Sequence, residues 1–334
     1  MPLPSYPYAA GRIFVLENKL LSRDRVERMA EAPTGEEALK VLAETEYGAG
    51  IAEIEGPHDY ESLLSFEIRR IHSLMAEISP DPETTDLFFL KYDFHNLKVL
   101  LKSRYLGEEQ DRLLITAGVT LSIELLKTAI NEKDYAMLPP YLAEVLEEID
   151  EAMDKIIDPG KMDTMLDRAM FLHIFDLLKR RKNRFAQDYF IRQVDLINIR
   201  SFLRIRKIGE DFRFLENLLL PGGKLDEEFF AAAMEEPTEN IGDRLKDSEY
   251  SQAVSRGLED FIKTGSLAVY ERLVDDYLLN WVKAARWNPS GIEPVIGYLL
   301  AKENEIRIIR IIMVGKTNNL PPGVIRERLR DVYV

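Results

Sequence analysis

Apolar residues recur along this chain at spacings of three and four from end to end, the period of helices with one face turned inward. The strict alternation of a half-buried strand bounded by turn residues is hard to find. Gly11 to Leu21 reads as a helix with Ile13, Leu16, Leu20 and Leu21 on one side. Ser22 stands where it can cap a second helix carrying Val26 and Met29. Thr34 with Glu37 has capping-box spacing ahead of Leu39 and Leu42. After Gly56 to Asp59 a long helix is expected through Leu63, Leu64, Ile68, Ile71 and Met75, ended by Pro80 and Pro82. Further on, a helix from Met162 to Arg180 presents Met165, Ala169, Leu172 and Phe175 to one face of a packed bundle. The stretch Leu218 to Gly223, with Pro221, Gly222 and Gly223 at its end, is the clearest turn.

One helical segment occurs more than once. Lys91 to Gly107 and Gln193 to Gly209 superpose without a gap at an offset of 102 residues. Asp93 falls on Asp195, Asn96 on Asn198, Leu97 on Ile199, Lys98 on Arg200, Lys102 on Arg204, Arg104 on Arg206 and Gly107 on Gly209. A looser third copy at an offset of 208 places Asn304, Arg310 and Gly315 on Asn96, Lys102 and Gly107, with Ala301 where the first two carry Asp. A second anchor supports the repeat: Thr45-Glu46-Tyr47 resembles Ser248-Glu249-Tyr250, and Pro33-Thr34 and Pro237-Thr238 stand upstream at nearly the same distance. Self-similarity at a fixed period decides architecture. It implies three helical units, residues 1–110, 111–212 and 213–334. On the signature helix, Asp93, Asn96, Leu100 and Arg104 keep to one stripe beside the apolar stripe of Phe94, Leu97 and Leu101. An unpaired amide there would cost about 1–3 kcal/mol. Asn96 and Asn198 are therefore expected to hydrogen-bond neighbouring helices and fix their register. Gly107, Gly209 and Gly315 suit left-handed C-cap positions.

Composition narrows the function classes. An apolar fraction of 46% allows a substantial core. There is no cysteine, which excludes disulfides, thiolate metal sites and cysteine nucleophiles. Met1 to Pro7 lacks the basic start and apolar core of a signal peptide, and no uncharged apolar run approaches the ~20 residues that span a bilayer. A soluble chain, or one held at a membrane only by partners, is expected. A net charge of −14 argues against a nucleic-acid binder. Basic residues nevertheless cluster in the signature helices. They either pair with acidic neighbours near the helix C-terminus or form patches that meet an acidic partner.

No catalytic constellation emerges. Gly315-Lys316-Thr317 resembles the end of a phosphate-binding loop, but the first glycine of that loop would fall on Arg310, and the dipeptide ends a helix instead of starting one. Asp275-Asp276 resembles an aspartate-rich metal motif whose third acid is missing, because Asn280 comes one position late. His58, His72, His95 and His173 show no paired ligand spacing, and His95 and His173 are expected within helix packing or at its edge. No catalytic residue, cofactor or metal site is assigned.

Several segments together point to a family. Phe88 to Arg104, Asp195 to Arg200, Ala301 to Lys316, the Thr45-Glu46-Tyr47-Gly48 element and Tyr8 to Arg12 resemble the hallmarks of the C subunit of V-type and A-type ATPases (ATP synthases), the family that includes the d subunit of eukaryotic V-type enzymes. The likeness covers nearly the whole chain. It implies an all-α, funnel-shaped body of three pseudo-threefold-related helical units. Such a body acts as a non-catalytic socket that links the central-stalk subunits of the soluble ATPase head to the membrane rotor ring. It couples ATP hydrolysis or synthesis to proton or sodium transport. One copy per complex is implied, at the cytoplasmic face of a membrane and peripheral through the complex, without a membrane span of its own and without nucleic acid. The candidate partner contacts are the repeated cations Lys98, Lys102, Arg104, Arg200, Arg204, Arg206, Arg307 and Arg310. Two other classes remain: a free-standing helical repeat scaffold for protein–protein interaction, whose period is ordinarily less than half of this one, and a magnesium-dependent enzyme built on Asp275-Asp276.

Overall fold

Apolar residues at helical spacing, separated by polar caps, produce a wholly helical chain. The computed structural model describes residues 5–334 and folds them into eighteen α-helices and two short 3-10 turns, with no strand among the described residues. The signal-peptide reading concerns in part Met1 to Pro4, which lie outside the described residues. Two compact units result: residues 1–82 together with 239–334, and residues 83–238. These units partition packing, whereas the repeats partition sequence similarity.

In the first unit one helix, Glu293–Thr317, is the axis of the core. Seventeen of its 25 residues are buried, leaving a narrow solvent-facing stripe that carries Glu303, Arg307, Arg310 and Val314. It is surrounded by Tyr6–Glu17, Arg23–Glu31, Gly35–Ala43, Tyr60–Ile78, Ala268–Ala285 and Pro322–Arg328. The local starts follow the sequence signals. Ser22 Oγ accepts from the Arg25 N–H, and Thr34 Oγ1 from the Glu37 N–H. The second anchor is reproduced bond for bond. Thr45 Oγ1 donates to the Leu42 carbonyl at 2.6 Å and accepts from the Tyr47 N–H at 3.2 Å; Ser248 Oγ does the same with Leu245 and Tyr250, at the same distances.

Gly315 departs from the expected cap. It lies inside Glu293–Thr317 with no left-handed backbone, and a Cβ there would stand 2.6 Å from Ile325 Cγ1. Close approach of the following helix, Pro322–Arg328, selects this glycine, while Gly107 (φ 70°) and Gly209 (φ 80°) are the left-handed caps their positions predict.

In the second unit, Leu90–Leu106 packs on Ile123–Glu132 and on Pro159–Arg181, which in turn contacts Pro140–Met153 and Arg184–Ile208. Phe94, Leu97 and Leu101 are buried as a stripe. The buried stripe of Pro159–Arg181 is not the expected one. It consists of Met162, Leu166, Phe171, Ile174 and Leu178, whereas Leu172 is 56% exposed. That helix carries apolar residues on two sides, and spacing alone cannot say which side faces the core.

Candidate functional site

Each signature helix holds down the chain that follows it. In Leu90–Leu106, Asn96 Nδ2 donates to the Ile115 carbonyl and Asn96 Oδ1 accepts from the Ile115 N–H, both at 2.8 Å. In Arg184–Ile208, Asn198 makes the same pair with Leu220, at 3.0 and 2.8 Å. A primary amide offers one donor and one acceptor side by side, so it can replace a neighbouring strand for a single extended residue. Asp93 reinforces the first clamp by accepting from the Thr120 N–H (3.0 Å), the Thr120 hydroxyl (2.6 Å) and the Leu121 N–H (3.2 Å); Asp195 accepts from the Leu225 N–H at 3.0 Å. Apart from the Thr120 hydroxyl, these partners are backbone groups of the succeeding segment. The expectation of bonds to neighbouring helices is corrected: a loop leaving a buried helix face has unsatisfied N–H and C=O groups, and these need the amide most.

The third copy solves the same problem differently. Asn304 Nδ2 donates to the Asp331 carbonyl at 2.7 Å, and the Asp331 N–H is taken at 2.7 Å by Asp276 Oδ1 from another helix. An aspartate from Ala268–Ala285 thus serves a segment whose own signature helix has Ala301. Asp275 beside it is occupied by Arg307 at 2.6 Å and Arg330 at 3.0 Å. The pair reads as structural. Burial raises the Asp276 pKa to about 6. A carboxyl raised above its unfolded value near 3.8 contributes most to stability below that value and loses its contribution as pH rises through about 6. Asp276→Asn keeps an acceptor for the Asp331 N–H and removes this loss. The variant is expected to gain roughly 1–3 kcal/mol on the wild type between pH 4 and pH 8, read from urea midpoints at both pH values.

A second buried cluster has no local signature in the sequence. Lys302, 1% exposed, pairs with Glu67 at 2.8 Å and with Glu305 at 2.6 Å, and donates to the Tyr47 hydroxyl at 3.2 Å. Tyr47 in turn donates to Glu305 at 2.9 Å, and the Leu21 N–H also donates to Glu305. Arg70 grips Glu67 with two bonds of 2.7 and 2.8 Å and reaches Glu46 at 3.2 Å. Burial drives Lys302 toward the neutral amine, yet Glu305 and Glu67 outweigh it and hold its pKa above the ordinary value. Burial likewise opposes the Glu67 carboxylate, but Arg70 and Lys302 hold its pKa below the usual range. Lys302 and Glu305 are legible by one route only. They occupy the repeat positions of Phe94 and Leu97 in the first copy and of Leu196 and Ile199 in the second.

Six of the eight repeated cations fall into two groups. Lys98 pairs with Asp167 at 2.5 Å, Lys102 with Asp163 at 2.7 Å, Arg307 with Asp275, and Arg310 with Glu61 through two bonds of 2.8 and 2.9 Å. Arg104 and Arg206 are tied to backbone carbonyls at the ends of short helices. Arg104 donates to Ile130 (2.9 Å) beside Asp150, and Arg206 to Met234 (2.8 Å) and Glu236 (2.9 Å). Cations there satisfy the last carbonyls and complement the dipole. Arg200 is half-buried and Arg204 exposed. One turn beyond Lys102, Arg204 and Arg310 stand Leu106, Ile208 and Val314, exposed by 47%, 58% and 38%. Each copy therefore shows a cation and an aliphatic residue at i and i+4 on one helix face. His95 Nε2 lies 2.9 Å from the Leu113 carbonyl, and His173 stacks on Tyr141 at 3.6 Å, as expected of packing histidines.

Residues 9–328 match the family described as ATP synthase (C/AC39) subunit. Among similar proteins, the C subunit of the V-type sodium ATPase of Enterococcus hirae is 27% identical over 98% of this chain and 97% of its own length. The C subunit of the A-type ATP synthase of Methanocaldococcus jannaschii is 25% identical over 98% of this chain and 86% of its own. Its counterpart in Methanosarcina acetivorans is 27% identical over 97% and 92%.

Proposed function

The chain belongs to the ATP synthase (C/AC39) subunit family, and from that premise we propose that it is the non-catalytic coupling subunit of a rotary V/A-type ATPase, a socket between the rotor stalk of the soluble head and the membrane rotor ring. The observation that carries this reading is the match over residues 9–328, together with relatives that bear the same subunit name and align along almost their whole length. The three repeats, residues 1–110, 111–212 and 213–334, are the three steps of a funnel-shaped body, one copy per complex, peripheral to the cytoplasmic face of the membrane. Among the described residues no helix is long and apolar enough to cross a bilayer. Such a part transmits torque, so it needs segments that do not shift against each other. The clamps of Asn96, Asn198 and Asn304 supply that stiffness at each turn of the repeat.

The repeated cations remain the proposed contacts, in two roles. Arg104 and Arg206 shape the body, and Arg204 with Ile208 offers the most accessible of the repeated cation–aliphatic pairs. Arg204→Glu is expected to weaken rejoining of a complex stripped of this subunit by about tenfold, more at low than at high salt, with unchanged thermal stability. Undiminished rejoining would remove this position from the interface.

A further inference from the structure

In the second unit the helices Pro159–Arg181 and Arg184–Ile208 are joined by two residues alone, Lys182 and Asn183. The tip of this hairpin reads Lys179-Arg180-Arg181-Lys182-Asn183-Arg184. Its five cations are all exposed, in a chain whose net charge is −14. The repeat does not require them. At the offset of 102 the same positions of the first copy run from Glu77 to Pro82 without a cation, and in the third copy, from Ala285 to Ser290, only Arg286 is basic.

Folding accounts for part of this charge and not for the rest. Lys179, Arg180 and Arg181 occupy the last turn of their helix, where cations complement the dipole. Arg184 does the reverse: it is the first residue of a helix with no acid in its first turn, at the end where a cation is disfavoured. Lys182 holds a left-handed backbone (φ 55°), a conformation that suits glycine. Lys133 adopts the same φ, but its ammonium is met by Asp150 and Asp154 at 3.8 and 3.7 Å. Lys179, Lys182 and Arg184 form no ion pair among the described residues. Arg180 reaches Asp176 at 2.9 Å and Arg181 reaches Glu83 at 3.7 Å, both at the surface, where such pairs hold little. Strain kept at an unpaired lysine points to a role outside the fold.

The surroundings indicate what meets these cations. Protein interfaces are depleted in lysine and built on aromatic or aliphatic anchors. None of the exposed large apolar residues lies between positions 173 and 207, so the tip offers charge alone. Clusters of four to eight Lys and Arg recognise anionic lipid headgroups, each cation strengthening binding about fivefold. The acids elsewhere on the chain act weakly at the tip, because salt screens charges more than about 10 Å apart. We propose that residues 179–184 are an electrostatic contact with the anionic headgroups of a membrane surface. The coupling-subunit reading supplies only the membrane at hand, and no residue is shared with the repeated cations.

The full chain, free of any complex, is tested by co-sedimentation with vesicles of phosphatidylcholine alone and of 3:1 phosphatidylcholine and phosphatidylglycerol, so a failed coupling role leaves this test intact. Binding to the anionic vesicles is expected to be at least about tenfold tighter, and to be lost in high salt. The triple variant Lys179→Glu, Lys182→Glu, Arg184→Glu is expected to keep its helicity and lose the preference for anionic vesicles. Lys182→Gly relieves the left-handed backbone, so its thermal midpoint is expected to rise while vesicle binding weakens about fivefold. A lysine with a purely structural role would not separate the two readouts. No preference for phosphatidylglycerol in the wild type, or equal vesicle binding by wild type and triple variant, overturns the proposal. If the triple variant instead loses affinity for the stripped complex in neutral detergent while its vesicle binding is unchanged, an acidic protein partner replaces the lipid.

Discussion

Replacing Lys302 by methionine is expected to cost about 3–5 kcal/mol of stability, because it leaves Glu305 and part of Glu67 ionised in the core with no countercharge. The residue is 1% exposed and touches both carboxylates within 2.8 Å, so no water replaces it. The double change Lys302→Phe with Glu305→Leu, which installs the residues of the first copy, is expected to cost less than the single one. It removes both members of a pair instead of orphaning one, although the Leu21 N–H loses its acceptor. Chemical denaturation of the wild type, the single and the double variant checks the order. The pH dependence follows the same signs. The depressed Glu67 pKa means that its contribution is present above the ordinary carboxylate range and lost as pH falls through the folded value. The raised Lys302 pKa means that its own contribution is lost only in strong alkali.

Asn198→Leu is the second large effect, expected at about 2–5 kcal/mol. The leucine fits the volume, but the N–H and C=O of Leu220 both lose their partner in a buried position. Asn96→Leu acts alike on Ile115. Asn304→Leu costs less, since Asp276 still holds the Asp331 N–H. Hydrogen exchange gives a local readout: the Leu220 amide gains exchange rate in Asn198→Leu before global unfolding does. Equal stability losses at all three asparagines would contradict this bond pattern.

Much of the fold is legible in the chain itself. Helical class, the capping residues Ser22 and Thr34, the paired Thr45 and Ser248 turns and the left-handed Gly107 and Gly209 each depend on a few neighbouring residues, and local patterns report them. What needs the third dimension concerns partners far apart in sequence. Asn96 finds its partner 19 residues on, Asn198 22 and Asn304 27, and nothing in spacing says that a buried amide will meet a loop backbone instead of a helix. Leu172 reads as inward because its helix is apolar on two sides. Gly315 repeats a cap position in sequence while serving a helix crossing in space. The Lys302 cluster draws on four separate segments, and its glutamates are hidden among 58 acidic residues. Only the break in the repeat, charged residues where two other copies are apolar, marks it.

The proposed coupling role has a distinctive signature when the subunit is left out. The most direct measurement compares the purified rotary complex, reconstituted in vesicles, with and without this subunit, recording ATP hydrolysis and ion uptake together. Hydrolysis by the soluble head is expected to persist without the subunit while ATP-driven ion uptake is lost, and adding the chain back is expected to restore uptake. Ion uptake that proceeds undiminished in its absence would contradict the coupling role.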